Sequence, residues 1–161
     1  RAADIAFALN KLVLVDRHRN PVYESLLERV ERLIQLWQER KNTAVLEEGL
    51  KIAQEIQNLR ARQQQLGLSD LEMAMWLKIK ETLRIEEDED LIQKIRSLFR
   101  ELRTVMTPTW HVNPELRKVV EGRIRQFLLK EVKVRYALSM EQINNVHESL
   151  FEKLTEYESR S

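Results

Sequence analysis

The sequence predicts an all-α protein, a single-domain bundle of about six to seven helices with a long antiparallel helical hairpin in its N-terminal half. Three observations predict it. Apolar residues recur at spacings of three and four through most of the chain, no segment sustains the period-two alternation of a strand, and the breaks carry helix start and stop chemistry. The clearest break is Leu66-Gly67-Leu68-Ser69-Asp70-Leu71-Glu72. Gly67 can take the left-handed conformation that closes one helix, and Ser69 with Glu72 has the S-x-x-E spacing that caps the next. Two helices therefore meet there across almost no loop.

The first element, Ile5 to Val15, is apolar nearly all the way round, with Phe7, Leu9, Leu12, Val13 and Leu14. A helix apolar on every face is normally buried on every face. The chain starts at Arg1 without an initiator methionine, so residues 1–19 are read as a leading helix and linker, the stub of a preceding domain, and 20–161 as the helical domain itself. The other reading is a central core helix of a self-contained domain.

Asn20-Pro21 opens the second helix, Asn20 able to cap and Pro21 supplying a preset φ at the first position. Its stripe is Tyr23, Leu26, Leu27, Val30, Leu33, Ile34 and Trp37. After a polar turn near Arg40, Thr43 can cap a third helix with the stripe Leu46, Leu50, Ala53, Ile56 and Leu59. A run from Ala44 to Leu66 would be about 34 Å long, and two long helices joined by a tight turn pack antiparallel. The fourth helix carries Leu71, Met75, Ile79 and Leu83, with Met73 and Trp76 beside them.

The acidic run Glu86-Glu87-Asp88-Glu89-Asp90 precedes the stripe Leu91, Ile92, Ile95, Leu98, Phe99, Leu102 and Val105. Negative charge favours a helix N-terminus, whereas calcium loops need spaced ligands and a glycine turn, so the dipole reading stands ahead of divalent-ion binding. A connection containing Pro108 and Trp110 leads to Asn113-Pro114, a second Asn-Pro start, and a helix directing Leu116, Val120, Ile124, Phe127 and Leu128 inward. Ser139 and Gln142 form another capping pair before the last stripe, Ile143, Val146, Leu150, Leu154 and Tyr157.

Composition narrows function by exclusion. A chain of 161 residues can bury about 70% of the surface its unfolded form exposes, and 43% apolar with 33% charged residues is a soluble composition. Net charge of +1 names no partner, and the absence of cysteine removes disulfides, thiolate zinc sites and cysteine nucleophiles, in keeping with the cytoplasm. The stretch Ile5 to Val15 falls short of the ~20 residues of a membrane span and lacks signal-peptide features, so no membrane partner is expected.

Neither nucleotide loop, G-x-x-x-x-G-K-[ST] nor G-x-G-x-x-G, is present, and His18, His111 and His147 lack metal-ligand spacing. Pro114-Glu115 with Glu131-Val132-Lys133 imitates a metal-dependent nuclease pattern. On one helix, however, those acids lie about 24 Å apart and cannot share an ion. Catalytic, cofactor-binding and metal-binding residues are therefore all read as none.

Two sets of residues remain as candidate contacts. Arg117, Lys118, Arg125 and Lys133 could track a nucleic-acid backbone, Lys118 and Arg125 falling near one line, or could be the solvated face of a bundle helix. Phe7, Val13, Trp76 and Trp110 are candidate partner contacts; Trp76 is either core or anchor, and Trp110 either plugs the bundle end or forms a hot spot.

With these residues in view, Asn20-Pro21-Val22-Tyr23-Glu24-Ser25-Leu26-Leu27-Glu28-Arg29-Val30 resembles the opening of the C-terminal helical region of the restriction (R) subunit of type I restriction-modification enzymes. Leu66 to Glu72 is similar to the family's helix-turn-helix junction, and Trp110 to Leu129 resembles its later tryptophan and basic amphipathic helix. The resemblance runs from about Asn20 to Leu154 and rests on the order and spacing of motifs that are individually unspecific. It implies a parent subunit carrying a nuclease and an ATP-dependent DNA-translocating motor, using ATP and Mg²⁺. It further implies partners in the methyltransferase and specificity subunits and in other domains of the same subunit, with this chain a noncatalytic assembly domain docking the motor onto the methyltransferase core. A DNA-backbone-binding module and a free-standing helical adaptor are the alternatives.

Overall fold

A computed structural model describes residues 1–160, with side chains through Tyr157; Ser161, the end of the expected domain, lies outside the described residues. Among the described residues there are seven α-helices and no strand. They are α1 (Ala2–Leu9), α2 (Leu27–Gln38), α3 (Asn42–Leu66), α4 (Asp70–Leu83), α5 (Glu89–Leu102), α6 (Pro114–Phe127) and α7 (Met140–Arg160). The all-α expectation holds. By contact the chain divides into two compact units, Arg1–Ala74 and Met75–Ser161.

In the first unit, α1, α2 and α3 pack against one another, so the leading helix is one leg of a three-helix arrangement. It is not buried all round: Ala2, Ala6, Leu9 and Val13 are inside, while Phe7 and Val15 are exposed. Its second half, Asn10–Val15, is a π-helical turn. Asn20 was expected to cap the next helix but does not. Its side-chain amide instead donates to the carbonyls of Leu12 and Asp16, tying off the end of the π turn, and Pro21–Leu26 enter α2 as a 3₁₀ segment.

The inward face of α3 is also shifted from expectation. Val45, Gly49 and Ile52 are buried, one position before the anticipated stripe, and Leu50 is 55% exposed. The reason is Gly49, where the missing side chain lets α1 approach through Ile5. Thr43 does not cap either, since the helix begins at Asn42 after Lys41 with no side-chain cap. Arg29 of α2 pairs with Glu55 of α3, and Arg60, further along α3, donates to Tyr23, which precedes α2. These pairings run in opposite senses along the two segments.

The Gly67 junction forms as its chemistry requires. Gly67 has φ 67°, and Leu68 N donates back to the Gln63 carbonyl. Ser69 N donates to Glu72 Oε1 at 2.8 Å while Glu72 N donates to Ser69 Oγ at 3.1 Å, a complete reciprocal cap.

In the second unit the buried faces are Leu91, Ile92, Ile95, Phe99 and Leu102 on α5, Val120 and Ile124 on α6, and Ile143, Val146, Leu150 and Leu154 on α7. Asp88 caps α5 by accepting from Leu91 N, so one acid of the run serves the helix start in the manner negative charge favours there. Asn113 caps α6 through Glu115 N and Leu116 N, and Ser139 with Gln142 exchanges both bonds before α7. After Phe127, α6 runs on into a π-helical turn, Leu128–Lys133.

Candidate interaction site

Two features of the second unit combine charge with concavity. The first is an ionic ladder built where the acidic run meets the end of the π turn. The Arg135 guanidinium donates to both oxygens of Asp88, at 3.1 and 2.9 Å, and to Asp90. The Tyr136 hydroxyl donates to Asp88 Oδ2 at 2.6 Å, and Lys94 bridges Asp90 and Glu131 at 3.3 and 3.0 Å.

Burial alone would raise the Asp88 carboxyl, but the bonds from Tyr136, Leu91 N and Arg135 outweigh it and hold the group down at about 2. Burial and the bond to Asp88 push the Tyr136 phenol up to about 12. Asp90, donated to first by Arg135 and then by Lys94, holds the Arg135 guanidinium above its ordinary value together with Asp88. Lys94 is likewise raised, by Glu131 first and then Asp90. These charges are committed to joining α5 to the far end of the α6 segment.

The second feature is an open groove of about 570 Å³ between α5 and the α6 segment, with Leu98 and Glu101 on one wall and Arg123, Phe127 and Lys130 on the other. Lys94 and Glu131 reach it from the ladder. Arg123 and Arg125 are two residues apart and so about 200° apart around the helix, projecting to opposite sides. The anticipated Lys118–Arg125 line therefore belongs to a different face from the groove.

The expected nucleic-acid contacts differ in their surroundings. The Arg117 guanidinium lies 4.7 Å over the Phe151 ring and donates to the His111 carbonyl. Lys118 is exposed, whereas Arg125 and Lys133 are half-buried. Three of the four expected partner contacts are corrected by burial: Val13, Trp76 and Trp110 are inside the fold and present no surface. Trp110 is 0% exposed and meets Phe151 edge-on at 5.9 Å, which makes it a plug. Phe7 is 54% exposed and meets Trp37 edge-to-face at 4.9 Å.

Sequence reasoning missed the ladder and the groove. The signal available was an acidic run matched by Arg135, but their separation of more than forty positions hid the pairing. Of the decoy acids, Glu131 is held by Lys94 and Glu115 sits exposed in the first turn of α6. Among the described residues no group of three or more His, Cys, Asp or Glu side chains could hold a metal ion, and no helix is long and apolar enough to cross a membrane.

A family model described as type I restriction enzyme HindI endonuclease subunit-like, C-terminal, matches residues 8–159. The chain belongs to this family. No curated protein and no solved structure matches it. Membership in the type I restriction endonuclease subunit family makes the chain part of a multi-subunit enzyme, and the match takes in both compact units, from inside α1 to near the end of α7.

Proposed function

We propose that this chain is a noncatalytic assembly domain that docks the ATP-dependent DNA-translocating endonuclease subunit onto the methyltransferase core of a cytoplasmic type I restriction complex. The observation that carries the reading is membership in the C-terminal family of the endonuclease subunit over nearly the whole chain. It is supported by the use of the strongest polar clusters for internal ties, and by exposed apolar side chains at Val112, Val119, Val134 and Met140. Exposed apolar area, where it is contiguous, marks a protein contact, and these side chains would contribute to one. In this reading ATP and Mg²⁺ act elsewhere in the parent subunit. The test is competition: the chain binds a complex of methyltransferase and specificity subunits and displaces the intact endonuclease subunit. Absence of both binding and displacement would reject it.

A second reading, a DNA-backbone contact, is favoured by Lys118, Arg125 and Lys133, which make no ion pair among the described residues, with Arg117 beside them. It predicts affinity for duplex DNA that falls linearly on a log–log salt plot, with a slope of about −0.9 per phosphate neutralised. Reversal of Lys118 and Arg125 should flatten that slope, and a salt-independent affinity would eliminate the reading.

A further inference from the structure

The α5–α6 groove holds a combination that docking alone leaves unassigned. Arg123 and Lys130 line one wall seven residues apart, and neither makes an ion pair among the described residues. At helical rise they are separated by about 10.5 Å along the axis. Phe127 lies between them and is half-buried, with half-buried Leu98 lining the opposite wall, so the cations flank an apolar floor. Lys94 is engaged by Asp90 and Glu131 and braces one end of the groove.

The wall is shaped by an unusual backbone. Lys130 and Glu131 lie on the π-helical turn Leu128–Lys133, which continues α6 past Phe127. Such turns are rare and concentrate at functional sites.

We propose that this groove receives an acidic amphipathic helix of a partner protein, its carboxylates meeting Arg123 and Lys130 while an apolar side chain between them seats on Leu98 and Phe127. The proposal rests on the docking reading and names the chemistry of the segment that docks. Two carboxylates seven residues apart on the incoming helix span the same length as the two cations, with an apolar residue three or four positions along falling between them. A helix laid into a groove through such periodic anchors is a standard mode of recognition, and carboxylate with guanidinium gives charge-assisted bonds. A nucleic-acid backbone matches the cations but offers nothing to the apolar floor. Glu101, on the α5 wall beside Leu98, disfavours an acidic residue opposite α5 and so sets the orientation of the segment.

The experiment uses the full chain and a lactam-bridged helical peptide carrying Glu at two positions seven apart and Leu between them. Versions with both Glu replaced by Gln or by Lys, and a 20-base-pair duplex, serve as comparison probes. Binding is followed by fluorescence anisotropy and located by amide chemical-shift mapping. The expected result is that the Glu peptide binds at least ten-fold tighter than the Gln and Lys versions, shifts amides of α5 and α6, and loses ten-fold or more against Arg123→Glu/Lys130→Glu. Leu98→Ala should weaken it without changing the Glu-over-Gln preference.

Equal binding of all three peptides, shifts confined to other elements, or a groove that responds only to duplex DNA would overturn the proposal. The same double variant is tested for docking to the methyltransferase complex. If wild type docks and the variant docks equally well, the groove assignment fails and the docking reading survives. If wild type does not dock while the peptide result holds, the docking reading fails and the groove stands. Arg123 and Lys130 make no ion pair among the described residues, so the variant should retain the wild-type melting temperature; a collapsed fold moves the test to Arg123→Gln/Lys130→Gln.

Discussion

Gly49 of α3 lies so close to Ile5 of α1 that a β-carbon added at position 49 would overlap Ile5 Cγ2, with Ile5 Cβ at 3.6 Å and Leu33 Cδ2 at 3.9 Å. Gly122 on α6 is the counter-case, with nothing within 4 Å of an added β-carbon. Both sit inside helices, where alanine is favoured over glycine by about 0.5–1 kcal/mol. At Gly122 that gain should appear in full. At Gly49 the added carbon meets a β-branched side chain, stiff at χ1, and overpacking of this kind costs about 1–3 kcal/mol. Gly49→Ala should therefore destabilise and Gly122→Ala stabilise in urea titrations; the same sign for both would contradict the helix–helix approach.

The Asp88 ladder makes a pH prediction. The folded-state carboxyl is depressed to about 2, below its ordinary 3.8, by Tyr136, Leu91 N and Arg135 against the opposing effect of burial. A depressed folded-state group contributes stability that is complete above its unfolded value and is lost as pH falls through the folded one, so the window lies between about pH 4 and pH 2. Asp88→Asn keeps a good N-cap while removing the charge. It should lower stability at neutral pH and flatten the acid limb, measured as the denaturation midpoint at successive pH values. Tyr136→Phe should move that limb upward. An unchanged limb in both variants would mean that the ladder does not form.

The elements were legible where local chemistry decides and obscure where distant residues do. Gly67 with Ser69 and Glu72, Asn113 with Pro114, and Ser139 with Gln142 act within one turn, and each reads correctly from spacing. Asn20 and Thr43 have capping chemistry too, yet Asn20 is drawn to the Leu12 and Asp16 carbonyls of a π turn that periodicity does not announce. The α3 stripe was displaced by one residue because a glycine contributes nothing to an apolar pattern, although here it marks the closest approach. Arg40, Arg84 and Ala137 take positive φ of 61°, 54° and 52° after helical segments without being glycine, so those stops carried no signal. The groove was invisible because its walls come from stripes that, taken singly, are ordinary amphipathic helices.

Arg60 ties three segments of the first unit. Its guanidinium donates to the Tyr23 hydroxyl, to Gln63 Oε1 at 2.9 Å and to Asp70 Oδ1 at 2.7 Å, and lies 4.9 Å over the Tyr23 ring. Gln63 completes the knot by donating to Asp70 and to the Leu68 carbonyl. Arg60→Ala leaves the Tyr23 hydroxyl without its donor and should cost about 1–2 kcal/mol. Arg60→Lys should recover only a fraction, because an ammonium cannot reach several acceptors in one plane or stack on the ring. Amide exchange at positions 67–70 should quicken in both variants; protection equal to wild type would show that the Gly67 junction holds without this knot.

Trp110 offers a test of the plug that separates volume from polarity. Its side chain is fully buried against Phe151, yet among the described residues its indole N–H meets no hydrogen-bond partner. Replacement by alanine empties the site and should cost about 3–5 kcal/mol. Phenylalanine keeps an aromatic edge for Phe151 and removes a donor that is already unsatisfied, so it should cost much less than alanine. Arg117→Ala, which removes the exposed guanidinium over Phe151 together with its bond to the His111 carbonyl, should cost about 1 kcal/mol. The expected order in thermal unfolding is therefore alanine at 110 far below phenylalanine at 110, with Arg117→Ala nearest wild type. Equal losses from the two substitutions at 110 would mean that the indole N–H has a partner and that hydrogen bonding, rather than filled space, keeps a tryptophan there.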